Sequence, residues 1–358
     1  MISRTFSCVL ILALASAPGF GQSSGPTAAQ PGKATVDDAA SVPAIPKDPK
    51  DLMLLAAKVN GLSSMGDRAW YVMADFQTFD ADGKPKDKGT FEEWWAGPEK
   101  YKISYTSSDF NQVLYHEGGK SLVTGDKGMA PLPELMAKKN LFDPLPEETE
   151  VQKNEYVEKN FDENTKSGKK VELRCIQEKT KYSPAHSNCF ELDAPYLRVE
   201  SSGGGLLVVF NNIVKADGHY IAKQINVLNS GLAILNLNVT ALEFPTDIAD
   251  AMFVPPPSAV AAQVFWGDPS VVAGKKIGGD DPHYPVNAKI DRIQGTVILS
   301  ARINKAGTID DLQVVSGPQA LRKSSFDAVK TWKYKPYLLN GEPVEVQTQI
   351  NVIYTLGG

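Results

Sequence analysis

Histidine and cysteine are scarce in this chain, at four and three of 358 residues, and their spacing removes most metal and nucleophile chemistry. His116, His186, His219 and His283 form no H-E-x-x-H pair, which excludes a helix-borne zinc hydrolase site. No G-x-S-x-G elbow and no phosphate-cradling loop ahead of a helix occurs, and Gly203 to Gly205 precede strand-like "LLVVF", where a turn is the better account. "SGKK", Ser167 to Lys170, matches S-x-x-K only by chance in a polar loop, and His283 in "DDPHYP" belongs to a solvated charge cluster. An enzyme is not expected, and neither a cofactor nor a metal. Also lacking is a basic stripe interleaved with aromatics. The net charge is −5, with 22 basic against 30 acidic residues over 51–264 and 11 against 9 over 265–358, so no nucleic-acid footprint exists. After the N-terminal segment no apolar run is long enough to span a membrane.

What is present begins with an export pattern. Arg4 supplies a positive start, Phe6 to Ala15 an apolar run of about ten residues, and Gly19 and Gly21 a small-residue region that permits cleavage before Gln22. A spanning helix needs about 20 apolar residues, and Pro18 interrupts this one. Residues 1–21 are therefore expected to be a cleaved signal peptide and the mature protein to be periplasmic. The alternative is an uncleaved inner-membrane anchor. In that compartment the two remaining cysteines, Cys175 and Cys189, are expected to form a disulfide. Zinc is the competing use, since His186 lies between them, but a fourth ligand is not evident.

Composition then divides the chain. Residues 22–50 are rich in Ala, Ser and Pro without apolar periodicity and read as a disordered tether. "DLMLLAAKVNGL" reads as a short helix capped by Asp51 and stopped by Gly61. From Trp70 to about Phe253, strand follows strand, with turns at Gly97-Pro98, Gly118-Gly119, Asp217-Gly218 and Ser230-Gly231. Ala233, Leu235, Leu237 and Val239 alternate with Asn236, Asn238 and Thr240, as in an antiparallel sheet with one buried face. The stretch from Thr124 to Glu148 breaks the pattern and reads as a short helix or a loop folded over the sheet. Pro255 to Pro257 open a second linker, 257–282, stiff and then Gly-rich.

The helix ending in Gly61, the pair "GTFEEWWAGPEKYKISY", the hairpin "VLYHEGGKSLVTG", the strand "DGHYIAKQI" and the closing "FVPP" resemble the periplasmic LolA/LolB-like lipoprotein carriers. The resemblance covers about residues 51–256. It implies an α+β fold in which a curved antiparallel half-barrel is closed by helices around an apolar cavity for a lipid or acyl chain. Trp94, Trp95, Tyr101 and Tyr105 are the candidate lining of that cavity. The more ordinary account of the four is as plain core and surface residues of a sheet.

The last segment, 283–358, carries the most specific pattern. Tyr284-Pro285 precede a helical turn at Ala288, "GTVILSARI" alternates, "NKAG" turns, and "TIDDLQVVSG" returns. Leu321, Ala328, Val329 and Trp332 then make a helical stripe. In the long final strand Val344, Val346, Thr348, Ile350 and Val352 share one face, and Glu345, Gln347, Gln349 and Asn351 the other. Together with Gly295, Val297, Gly307, Ser316-Gly317, Pro336, Asn340-Gly341 and Pro343, these residues closely resemble the C-terminal domain of the TonB energy-transducer family. The resemblance implies a small α+β domain that binds a segment of an outer-membrane transporter by adding it as a strand. Physically, a long edge strand with unpaired N–H and C=O groups is such a template. The strand from Val344 to Val352 is the candidate edge, unless it pairs in a dimer or is covered by the N-terminal half. Energy-transmitting members of that family also keep a membrane helix bearing a His, followed by a rigid Pro-rich spacer. The apolar run here contains no His. The expectation is thus a periplasmic, non-enzymatic adaptor for a transporter or other envelope protein, with an energy transducer as the alternative.

Overall fold

The computed structural model describes residues 44–356 apart from 165–169, 180–185, 203, 268 and 340. The expected signal peptide, and the expected tether up to residue 43, lie outside the described residues. The end of that tether is built into the fold. Helix α1 (Pro49–Val59) takes Asp48 as its N-cap, whose carboxylate accepts from the N–H groups of Lys50 and Asp51, with Pro49 at the first helical position. The cap is therefore Asp48 rather than Asp51. Pro46 and Lys47 present their carbonyls to the Arg174 guanidinium.

Twelve strands follow in chain order. They are β1 (Trp70–Phe79), β2 (Pro85–Trp95), β3 (Lys100–Ser107), β4 (Asn111–Glu117), β5 (Lys120–Gly125), β6 (Tyr156–Asn164), β7 (Lys170–Glu178), β8 (His186–Glu191), β9 (Leu197–Ser202), β10 (Leu206–Ala216), β11 (His219–Asn229) and β12 (Leu232–Glu243). Helices α2 (Leu132–Phe142) and α3 (Glu148–Lys153) interrupt them after β5. All twelve pair antiparallel, and β1 closes against β12. The turns drive this pairing locally: Asp217-Gly218 and Ser230-Gly231 both stand at positive φ, the combination a two-residue hairpin turn needs. The fold is α+β, a half-barrel sheet whose inner face is filled by α1 and α2. Leu52, Met53, Met136, Leu141 and Phe142 meet Trp70, Phe91, Ile221 and Leu237 in one core. Gly61 follows α1 at φ 83°, and a Cβ there would lie 2.2 Å from the Phe142 carbonyl oxygen, so the ends of α1 and α2 approach as closely as backbone allows.

Cys175 and Cys189 face each other directly across β7 and β8 and are joined by a disulfide. They are buried in a small satellite core with Val199. Removing the bridge as Cys175→Ser with Cys189→Ser should lower stability by about 3 kcal/mol, read as a shift of the urea midpoint. Thiol titration of the unfolded, unreduced protein should find neither group free; two reactive thiols would contradict the bridge.

The segment expected as a linker is instead worked into both halves. Its first strand, β13 (Val260–Ala261), pairs with β5 and extends the large sheet to thirteen strands. The next, β14 (Val264–Trp266), belongs to the second sheet. Helix α4 (Pro269–Ala273) buries Val272 in the C-terminal core, and β15 (Lys276–Gly278) pairs with β18 (Lys333–Tyr334). Short ladders of two or three residues tie the segment to both halves.

The C-terminal sheet runs β14, β20 (Glu342–Tyr354), β16 (Gly295–Ile303), β17 (Ile309–Ser316), and β19 (Tyr337–Leu339) forms a hairpin with the start of β20. Two helices, α5 (Val286–Ile290) and α6 (Gln319–Val329), join α4 on its core, where Leu321 and Val329 meet Val297, Leu299, Val346 and Val352. The opposite face is not free. Ile298 is fully buried in the half-barrel core, Thr296 exchanges bonds with Gly204 and Asn229, and the Gln347 amide donates to the Ala130 carbonyl at 3.1 Å; Arg322 of α6 adds a further link to Asp82. The two halves therefore pack as one body, and the isolated C-terminal segment would expose Ile298 to water.

Candidate functional site

Strand β20 has two sides, and its own bonds identify which groups face which. On one side it pairs antiparallel with β16 from Val346 to Tyr354 without a register shift. On the other, β14 pairs parallel with Glu345 to Gln347, and the Gly267 N–H donates to the Gln347 carbonyl at 2.9 Å. In a strand the N–H and C=O of one residue point the same way and alternate along the chain. Gln347 points away from β16, so Gln349, Asn351 and Ile353 do too. Each of these three presents a donor and an acceptor at an edge that no strand covers among the described residues. Asn351 and Ile353 are exposed, while Val346, Thr348, Ile350 and Val352 are buried beneath the helices. Gln349 donates through its side chain to the Asn351 side chain at 2.8 Å, which holds the polar face in order.

The expected edge from Val344 to Val352 is therefore only partly open. Its Glu345–Gln347 portion is occupied by β14 of the same chain, and the uncovered portion runs on to Ile353. The cause is the supposed linker, whose apolar Val264 and Phe265 prefer a ladder to water. A three-residue apolar run is shorter than the about four to eight residues by which a strand is read from sequence, so the pattern gave no signal of this ladder. Beside this ladder lies a cavity of about 380 Å³, lined by Ala262, Gln263, Phe265, Lys305, Val344 and Glu345.

The four aromatics assigned to a cavity do not share a face. Trp94 stands on the outer face, against Tyr71 at 4.1 Å with its ring N–H on Glu92. Trp95, Tyr101 and Tyr105 point inward, because alternation sends neighbours 94 and 95 to opposite sides. Trp95 stacks between Trp70 and Tyr101, and Phe142 of α2 meets Trp70 edge-on at 4.8 Å. Helix side chains fill the space beside these rings.

Two buried carboxylates, one on β2 and one on α2, lie where this helix meets the sheet, and sequence reasoning did not find them. Glu93 is fully buried on β2 and meets Lys138 of α2 at 3.0 Å. Burial outweighs the pull of Lys138 and pushes Glu93 up to about 7. Glu134, one helical turn earlier, is likewise pushed up to about 7 by burial, and one of its oxygens has no hydrogen-bond partner. Glu93 continues the inward alternation of Phe91 and Trp95, the one signal that placed it inside. Elsewhere, the Ser64 hydroxyl meets His219 Nδ1 at 2.8 Å but also donates to the Gly61 carbonyl at 2.7 Å, which spends its proton on backbone. No cluster of metal-ligating side chains occurs among the described residues.

Residues 280–356 match the family described as Gram-negative bacterial TonB protein C-terminal. Protein TonB of Vibrio cholerae is 34% identical over 79 residues, which are 22% of this chain and 32% of that protein. The chain thus spans about a third of that relative's length. Among solved structures, a LolA superfamily protein from Nitrosomonas europaea is similar at 10% identity and a TM-score of 0.38, over 58% of this chain and 98% of that one. A DUF1329 family protein from Desulfovibrio piger gives 13% and 0.38, over 57% and 95%. The Pseudomonas aeruginosa MucA/MucB complex gives 10% and 0.31, over 81% and 99%.

Proposed function

We propose that this protein is a non-enzymatic periplasmic adaptor that takes an extended segment of an outer-membrane transporter or another envelope protein as an added strand on β20. The observation that carries this reading is the open edge at Gln349, Asn351 and Ile353, three residues whose backbone groups face away from β16. The family match at residues 280–356 supports it. No helix among the described residues is long and apolar enough to cross a membrane. Main-chain bonds worth about 1 kcal/mol each, offset by ordering the partner, lead to micromolar rather than tight binding. An acyl ligand in the half-barrel would have to replace side chains of α2, so the strand edge takes precedence.

The test is titration of the full mature chain with N-terminal peptides of the host's outer-membrane transporters, followed by amide NMR shifts. Shifts should centre on Gln349 to Ile353. Shifts confined to α6, with β20 unaffected, would refute this mode of binding.

A further inference from the structure

We propose that β14 is a strand held in cis in part of the seat that a partner's strand takes in trans, so that a partner reaches the full edge of β20 by displacing β14. This rests on the strand-addition reading above and adds the seat, the direction and the side-chain pattern of the partner.

The geometry points to a weakly held occupant. Strand β14 has three residues, against nine in the ladder that joins β20 to β16. Trp266 is 39% exposed and Phe265 only half-buried, and the cavity beside Phe265, Val344 and Glu345 leaves the seat incompletely filled. Release of β14 leaves the β16, β17 and β20 ladders intact. It also frees Glu345 and Gln347, which join Gln349, Asn351 and Ile353 in one continuous row of outward-facing backbone groups. The occupant further shows what fits. It runs parallel to β20 and places Phe265 toward the C-terminal core. At Gly267 a Cβ would meet Val272 Cγ2 at 2.8 Å and Val346 Cβ at 3.2 Å. The matching partner is an extended segment, parallel to β20, with an apolar residue followed two positions later by glycine.

Position 265 offers a clean test. The Gly267 N–H faces β20, so by alternation that of Phe265 does too, while that of Trp266 faces away. Phe265→Pro removes a ladder donor and Trp266→Pro does not. The probe is a synthetic peptide with the sequence of residues 261–267, AAQVFWG, titrated into full-length mature wild type and both variants. A cis strand competes at high effective concentration, and freeing its seat raises apparent affinity by the inverse of the free fraction. Phe265→Pro should therefore bind the peptide about tenfold tighter or more than wild type, with Trp266→Pro close to wild type. Hydrogen exchange on wild type supplies a readout independent of any variant: bound peptide should strip protection from the Phe265 and Gly267 amides while the Gln347 amide stays protected. Equal affinity in all three chains, with Phe265 and Gly267 still protected, would overturn displacement while leaving strand addition standing. If no amide of β20 responds in any chain, the strand-addition reading itself fails.

Discussion

Gln349→Pro is expected to weaken partner binding severely while the protein stays folded. The Gln349 N–H faces the open edge and takes no part in the ladder to β16, so proline there removes a donor only from the partner. Its ring also obstructs the approach of a second backbone. With a net bond worth about 1 kcal/mol and the neighbouring bonds disturbed, affinity should fall by about 100-fold. Gln349→Ala keeps the N–H and loses only the contact to Asn351, so its effect should stay within a few-fold, about 1 kcal/mol or less. Ile350→Pro is the contrast: that N–H faces β16 and its side chain lies in the core, so the variant should lose fold and binding together. Peptide titration beside a urea midpoint separates the cases. Undiminished binding by a folded Gln349→Pro protein would remove β20 as the docking edge.

Glu93→Gln should stabilise the protein at pH 8 and change little at pH 4. Folding raises the Glu93 value from 4.5 to about 7, so the folded state holds a proton that the unfolded state has released over that interval. The stability linked to this proton is complete below about pH 4.5 and is lost as pH rises through about 7, after which the loss is constant. Such a shift corresponds to on the order of 3 kcal/mol. Glutamine keeps the shape without the charge and escapes that loss. Lys138 is itself partly exposed and can turn to water, so freeing it costs little. Lys138→Met acts the opposite way, because it strips the buried carboxylate of its cation and should destabilise the fold at pH 8. Glu134 gives a slope of the same sign that survives in both variants. Urea unfolding at the two pH values decides the matter: an advantage of Glu93→Gln that is equal at pH 4 and pH 8 would show that Glu93 does not hold its proton in the fold.

Local chemistry was legible where it is dictated by neighbours in the chain. Two-residue turns at Asp217-Gly218 and Ser230-Gly231 need positive φ, and alternation along β12 and β20 sorts side chains between two faces whatever lies beyond them. The pairing of Cys175 with Cys189 followed from compartment and parity, and the TonB-like pattern from residues within one segment. The helix cap illustrates the margin of such reading: Asp48 and Asp51 are both suitable acids, and only Pro49 at the first helical position favours the earlier one.

Residues far apart in sequence meet only in the folded chain, and there the pattern was silent. Nothing local says that Val264 to Trp266 leave their linker to pair with Glu345 to Gln347, because a three-residue apolar run is too short to specify a partner. Nothing local puts Ile298 in the half-barrel core or Lys138 on Glu93, since a charged or apolar residue on a strand reveals its face but not what covers it. Period and turn chemistry, which act through adjacent residues, made the strands and their two faces; packing between distant segments decided which edge remained open, which acids lost their water, and that two sheets share one body.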